Sequence, residues 1–223
     1  MTNFAIIGVS GYVAKRHIQA INETNNNLVL AYDPNDTIGS IDEYFPNCLF
    51  YTDYENFFYN CFEHQKYRDK LSYISICSPN YMHFVHCANS LRLRCNVICE
   101  KPLVSNPTEI DILKDIEKET GYKIFNILQL RHHSEILKLK KEIVNNKSKN
   151  KFNIKLTYIT SRGNWYLNSW KGQKNKSFGL LSNIGIHFFD MLHFIFGELE
   201  NSFIFVRDNK KASGHLEFSK AKV

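Results

Sequence analysis

The first half of the chain alternates short apolar runs with longer stretches of helical spacing. Phe4–Ile7 is an apolar run that ends at Gly8, and Ala14–Ile21 repeats its apolar positions three and four residues apart. Leu28–Tyr32 is a second run, closed by Asp33. Tyr44–Phe62 reads as a loop, a short strand around Leu49–Tyr51 and a helix. Tyr73–Cys77 predicts another strand, closed by Ser78-Pro79-Asn80, and Met82–Leu93 the helix after it. Asn96–Cys99 predicts the next strand, closed by Glu100-Lys101-Pro102. A helix over Asn106–Glu119 has Pro107 in its first turn, where the missing N–H costs nothing, and Tyr122–Leu130 predicts a last strand. Strands separated by helix-length segments imply a doubly wound parallel sheet.

The pattern then changes. Glu135–Val144 is a basic amphipathic helix, Asn145–Lys151 a polar turn, and Phe152–Thr160 alternates as a strand does. Leu180–Phe196 has helical spacing with Gly197 as its stop. Phe203–Val206 and His215–Phe218 predict two further strands, and no internal repeat is visible. The fold class expected is α/β, with a doubly wound parallel-sheet domain over residues 1–128 and a region mixing helices and strands over 129–223. The boundary falls near Leu128–Arg131.

Composition leaves this picture in place and adds a charge step. The 223 residues are 43% hydrophobic and 22% charged, which excludes a disordered or collagen-like chain. No run approaches the ~18 consecutive apolar residues of a membrane span, and the start lacks a signal-peptide pattern. A soluble, cytoplasmic protein without a membrane partner is expected. The six cysteines include no C-x-x-C, and three lie in or beside apolar runs, so reduced, buried thiols are favoured over disulfides or zinc. Residues 1–120 carry ten basic against fifteen acidic residues, whereas 121–223 carry eighteen against seven. Two readings of the step stay open: a second half that faces an anion, or solvated lysines such as Lys147, Lys149, Lys151, Lys210, Lys211, Lys220 and Lys222. A nucleic-acid partner is not expected, because the basic residues are scattered and no nucleic-acid-binding motif is present.

Three constellations carry chemistry. Gly8-Val9-Ser10-Gly11-Tyr12-Val13 joins a first strand to a helix, where a backbone free of side chains can approach a pyrophosphate at the helix N-terminus. Asp33, at the end of the second strand, is placed to accept from both ribose hydroxyls of NAD and to repel the 2′-phosphate of NADP. Ser10 and Val13 stand where the G-x-G-x-x-G pattern has glycine. Ser78-Pro79-Asn80-x-x-His83 and Glu100-Lys101-Pro102 follow two strands at the ends where open α/β sheets bind ligands. Asn183, His187 and Asp190 fall on one face of the last helix, which allows an oriented imidazole. No cysteine or second histidine joins that face, so no metal is expected.

Together these segments resemble the Gfo/Idh/MocA oxidoreductase family: the glycine turn ending in Ala14-x-x-His17, S-P-N-x-x-H, E-K-P and G-x-H-x-x-D. Within it, GVSGYVAKRH, YFPN at 44–47, LQLRHH at 128–133, WYLNSWKG at 165–172 and NIGIHFFDMLHFIFG at 183–197 resemble UDP-N-acetylglucosaminuronate 3-dehydrogenases. The resemblance implies an NAD-dependent enzyme that oxidises the 3-hydroxyl of a UDP-linked N-acetylhexosaminuronate in surface-polysaccharide precursor synthesis. It implies Lys101 and His187 as a proton relay, in an order left open. Implied cofactor contacts are Gly8, Ser10, Gly11, Tyr12, Val13, Asp33, Ser78, Asn80, His83, Glu100, Lys101, Gln129 and Arg131. Implied substrate contacts are Lys101, Arg131, Arg162, Trp165, Tyr166, Lys171, Asn183 and His187, with Lys174 and Lys176 as further cations. Phe178 stands where relatives carry a glycine before Gly179. The resemblance implies a Rossmann domain over residues 1–128 and, because members of the family have a longer second domain, an incomplete α+β open-sheet domain over 129–223. A truncated chain is expected, with an open sheet edge that would pair in a homo-oligomer. The alternative is a truncated member that binds NAD without turnover.

Overall fold

The computed structural model describes residues 1–36, 39–67, 70–148, 150–208 and 210–223, without the side chain of Leu167. Lys149 lies outside the described residues. The chain divides into two units, Met1–Ile127 and Leu128–Val223.

The first unit is a six-stranded sheet flanked by helices. Its elements are β1 (Asn3–Ile7), α1 (Ala14–Glu23), β2 (Asn27–Tyr32), β3 (Leu49–Tyr51), α2 (Tyr54–Tyr67), β4 (Leu71–Ile76), α3 (His83–Arg92), β5 (Asn96–Cys99), α4 (Thr108–Thr120) and β6 (Ile124–Asn126). The order is β3-β2-β1-β4-β5-β6, with every pairing parallel. Sidedness follows from the strand period of two. In β1, Ala5 and Ile7 pack with Phe57, Leu91, Leu113 and Ile116 from one helical layer, while Phe4 and Ile6 pack with Ala14, Ile18 and Ile21 of α1. Both faces are covered, which is why these strands read as continuous apolar runs rather than alternating ones. The strand order reverses between β1 and β4, and a crevice at their carboxyl ends is where such sheets bind ligands. The expected strand Tyr122–Leu130 is shorter than its apolar pattern: pairing with β5 ends at Asn126, and Gln129–His132 turns as a 3₁₀ helix.

The second unit contains α5 (Ser134–Asn145), β7 (Phe152–Asn153), two short helices, α6 (Asn164–Asn168) and α7 (Lys174–Ser177), then α8 (Ile186–Phe196), β8 (Leu199–Arg207), β9 (Ala212–Phe218) and β10 (Ala221–Lys222). Its sheet runs β7-β10-β9-β8, and only β7–β10 is parallel. Ile143, Leu192, Ile195, Phe196, Phe218 and Ala221 form its core. The expected strand Phe152–Thr160 stops at Asn153, because β10 pairs with only two of its residues. The Ile154 amide still donates to the Lys222 carbonyl at 2.8 Å, but residues 155–160 have no ladder partner among the described residues, and a strand is defined by its partner. The β8–β9 hairpin leaves Phe203, Ile204 and Phe205 more than half exposed.

Lys174–Phe196 is, by length and composition alone, long and apolar enough to cross a membrane. It is not one continuous helix, however: Phe178 (φ +63°) and Gly179 (φ +80°) are both left-handed and end α7. A left-handed residue other than glycine costs about 1–2 kcal/mol, so Phe178 carries strain at a position that glycine would occupy freely. All six cysteines are free, and all but Cys48 are buried.

Candidate active site

Four strand ends of the first unit hold its chemistry. Gly8 follows β1 with φ +83°, and a Cβ built there would lie 2.5 Å from the Ser78 amide nitrogen and 2.7 Å from the Cys77 carbonyl carbon. A Cβ at Gly11 would meet the Gly8 carbonyl at 3.1 Å. Backbone therefore packs on backbone where the sheet switches direction, leaving a cradle without side chains. No described side chain caps the α1 N-terminus and no acid occupies its first turn, so its positive end remains available to a phosphate. The turn side chains differ in exposure: Tyr12 is 77% exposed, Ser10 is exposed and Val13 half-buried.

Asp33 is buried at the end of β2. Its Oδ2 accepts from the Ser10 amide (2.9 Å) and hydroxyl (2.6 Å), and its Oδ1 accepts from the Asn35 amide and side-chain amide, both at 3.0 Å. These four donors fill a carboxylate's acceptor sites. Two of them are side-chain groups that a ribose hydroxyl can replace, and the carboxylate is already aimed. The cradle, the open helix end and the fixed carboxylate fit the pyrophosphate and ribose of NAD.

The other two strand ends are joined by histidines. Ser78 and Asn80 are buried after β4, and the Ser78 hydroxyl bonds His86 Nδ1 at 2.9 Å. Burial, with the neighbouring His83, pulls the His86 pKa down to about 4. His83, expected at the cofactor, is 1% exposed; its ring nitrogens sit 2.7 Å from the Pro102 carbonyl and 2.8 Å from the Ser78 carbonyl. Burial favours its neutral form, against the opposing pull of those two carbonyls and of Glu100. Lys101 is half-buried beyond β5, and its bond to Pro102 is cis. Burial works against ionisation of Glu100, but the His17 ring and the Lys101 amide and ammonium outweigh it and hold the carboxyl below its usual range.

In the second unit the structure brings Arg162, Trp165, Tyr166, Lys171 and Asn183 together. The Arg162 guanidinium lies 5.1 Å from the centre of the Tyr166 ring, and the Lys171 ammonium lies 5.5 Å and 5.8 Å from the rings of Trp165 and Trp170. Asn183 Nδ2 donates to the Tyr166 hydroxyl at 2.9 Å. Burial lowers the Lys171 pKa, and the charge of Arg162 lowers it further. Neither cation has a carboxylate partner among the described residues. Two such cations against aromatic faces form a ready site for an anion.

Arg131, also expected at an anion, is instead given to Asp190: its Nε lies 2.8 and 2.7 Å from the two carboxylate oxygens, and an Nη donates as well. Asp190 is buried, and that pairing raises the Arg131 pKa. A π turn over Leu181–Gly185 adds a residue to the helical turn carrying Asn183, so the i, i+4, i+7 register does not run unbroken to Asp190. His187 is half-buried at the start of α8, and Gln129 is exposed.

Sequence reasoning left Asn35, Ser75, His86 and Asn126 unassigned, and gave His17 no role beyond its motif. His17 had a visible signal in Ala14-x-x-His17, and Asn35 bonds Asp33 locally, two residues on; Ser75, His86 and Asn126 owe their placement to contacts at longer range.

A family model described as the NAD-binding Rossmann fold of the Gfo/Idh/MocA oxidoreductases matches residues 2–127, and one for their C-terminal alpha/beta domain matches 140–217. The WlbA (WbpB) dehydrogenase from Thermus thermophilus, solved with NAD and UDP-GlcNAcA, is 40% identical with a TM-score of 0.94, over 100% of this chain and 72% of that one. The WlbA dehydrogenase from Bordetella pertussis shares the fold, with a TM-score of 0.83 at 17% identity over 99% of this chain and 67% of that one. Glucose-6-phosphate 3-dehydrogenase from Bacillus subtilis (strain 168) is 28% identical over 211 residues, 92% of this chain. The chain spans only 55% of that relative's length.

Proposed function

The chain belongs to the Gfo/Idh/MocA oxidoreductase family, and on that premise we propose that it oxidises the 3-hydroxyl of a UDP-linked N-acetylhexosaminuronate, UDP-GlcNAcA above all, to the ketone. The observation that carries the substrate class is the Arg162–Lys171 pair, two uncompensated cations against Trp165, Tyr166 and Trp170. A diphosphate or a uronate carboxylate matches that charge, and a pyranose face or uracil matches the rings. The 40% identity to a dehydrogenase solved with NAD and UDP-GlcNAcA supports the same reading.

Oxidising a secondary alcohol removes a hydride from carbon and a proton from oxygen. NAD⁺, when bound, supplies the hydride acceptor. Gly8 and Gly11 let the backbone close on its pyrophosphate, and Asp33 takes its ribose hydroxyls. We assign the proton to Lys101 Nζ together with the His187 ring. An amine or imidazole works as a base when its pKa lies near the working pH, and a lysine reaches that range by burial or beside positive charge. Asn183 and Tyr166, bonded to each other, are assigned to the sugar.

Lys101→Met and His187→Ala are each expected to lower kcat at least 100-fold while NAD affinity stays within threefold. Either variant turning over at the wild-type rate removes that residue from the relay. A second reading, NAD binding without turnover, is favoured by segment 155–160, which has no ladder partner among the described residues, and by the exposed β8; it predicts bound NAD and no NADH.

A further inference from the structure

Lys101 lies between two residues that are each held by a histidine, one half-buried (His17) and one fully buried (His83). On its N-terminal side, the Glu100 carboxylate meets His17 Nε2 at 3.3 Å, and the other nitrogen of that ring is 2.6 Å from the Ser75 hydroxyl. On its C-terminal side, the Pro102 carbonyl lies 2.7 Å from His83 Nδ1 and the Ser78 carbonyl 2.8 Å from the opposite nitrogen. Both carbonyls only accept, so the neutral ring that burial favours donates to one of them at a time and packs against the other. The His17 ring therefore ties the turn after β5 to β4, and the His83 ring is wedged between that turn and the segment following β4. His17 reaches in from α1 and His83 from α3. Asn126 adds a third tie from β6, donating to the Cys99 and Glu100 carbonyls at 3.0 and 3.2 Å.

We propose that His17 and His83 are positioning residues that fix the Lys101 turn from its two ends, so that the ammonium is delivered to one place. The proposal rests on Lys101 acting in the reaction proposed above. An apolar side chain could fill the same volume, but only an imidazole presents hydrogen-bonding nitrogens on two edges of one rigid ring. His17 and Ser75 are both well covered, as is His83, so none of these bonds competes freely with water. The two rings together explain why A-x-x-H and S-P-N-x-x-H accompany E-K-P in this chain. Each of the first two supplies the ring that holds one end of the third.

The test uses the full chain with His17→Leu and His83→Leu, and with His17→Gln and His83→Gln, which keep one polar arm. Far-ultraviolet circular dichroism establishes that each is folded. Two readouts follow. In steady-state kinetics with UDP-GlcNAcA, kcat is expected to fall about 10- to 100-fold in the leucine variants, the effect of a misplacement near 1 Å. KM and NAD affinity are expected to stay within threefold, with the glutamine variants in between. Independently of turnover, competitive acetylation read by mass spectrometry gives the pH profile of each lysine. Lys101 is expected to change its profile in both leucine variants, while exposed Lys114 and Lys118 do not. A folded variant with an unchanged Lys101 profile overturns the proposal for that histidine, as does unchanged kcat. Should the wild type not turn over, the proposed function fails while the acetylation profile still decides this inference.

Discussion

Replacing Gly8 with alanine probes the cradle most sharply. The residue sits at φ +83°, and its Cβ would lie 2.5 Å from the Ser78 nitrogen, 2.7 Å from Ser78 Cα and 2.7 Å from the Cys77 carbonyl carbon. Comfortable heavy-atom contact begins near 3.5 Å, so β1 and β4 must part by about 1 Å at their carboxyl ends. The left-handed backbone costs alanine about 1–2 kcal/mol, and overpacking adds about 1–3 kcal/mol. Gly121→Ala is the control: its φ is +80° but nothing lies within 4 Å of the added carbon, so only the backbone cost applies. Gly8→Ala is therefore expected to be about 1–3 kcal/mol less stable than Gly121→Ala, and to bind NAD at least tenfold more weakly. Both tryptophans, Trp165 and Trp170, lie in the second unit, so urea unfolding of the first is followed by circular dichroism, and NAD binding by calorimetry. Equal stability of the two variants with unchanged NAD affinity would refute the argument that backbone packing forms the site.

Two further perturbations test the first unit. Asp33→Ser removes the buried acceptor of four hydrogen bonds; it is expected to weaken NAD and narrow the preference over NADP, measured by titrating both nucleotides, and a wild type preferring NADP contradicts the ribose assignment. His86, held down to about 4 by burial and His83, has a folded pKa below the unfolded value of ~6.5. Between those values the unfolded chain binds a proton that the folded chain rejects, so stability falls as pH drops, by about 3 kcal/mol in all at ~1.4 per pH unit. Urea midpoints from pH 7 to 4 should fall less steeply in His86→Phe than in wild type, and parallel curves would exclude the assignment.

The sheet of the first unit was legible because its strands are buried on both faces. Runs such as Asn96–Cys99 correspond to β5 residue for residue, and Gly8, Asp33 and Glu100 fall at strand ends. The second unit was less legible because its order depends on partners that a local pattern does not contain. Phe152–Thr160 alternates like a strand, yet its backbone bonds to β10 end at Ile154. Asn183, His187 and Asp190 share a face on an ideal helix, but the π turn at Leu181–Gly185 interrupts the register between Asn183 and the other two, and the Asp190 carboxylate pairs with Arg131, 59 residues earlier in the chain. Phe178 replaces a glycine of the resembled family, and its left-handed φ gives the physical reason a glycine suits that position.

The central claim, NAD-dependent oxidation of a UDP-uronate sugar, is tested most directly by mixing the purified chain with NAD⁺ and UDP-GlcNAcA and following the NADH absorbance band. The account predicts a rise that requires both compounds and disappears in Lys101→Met, together with a sugar product two hydrogens lighter by mass spectrometry. A flat trace from folded protein that demonstrably binds NAD would contradict it.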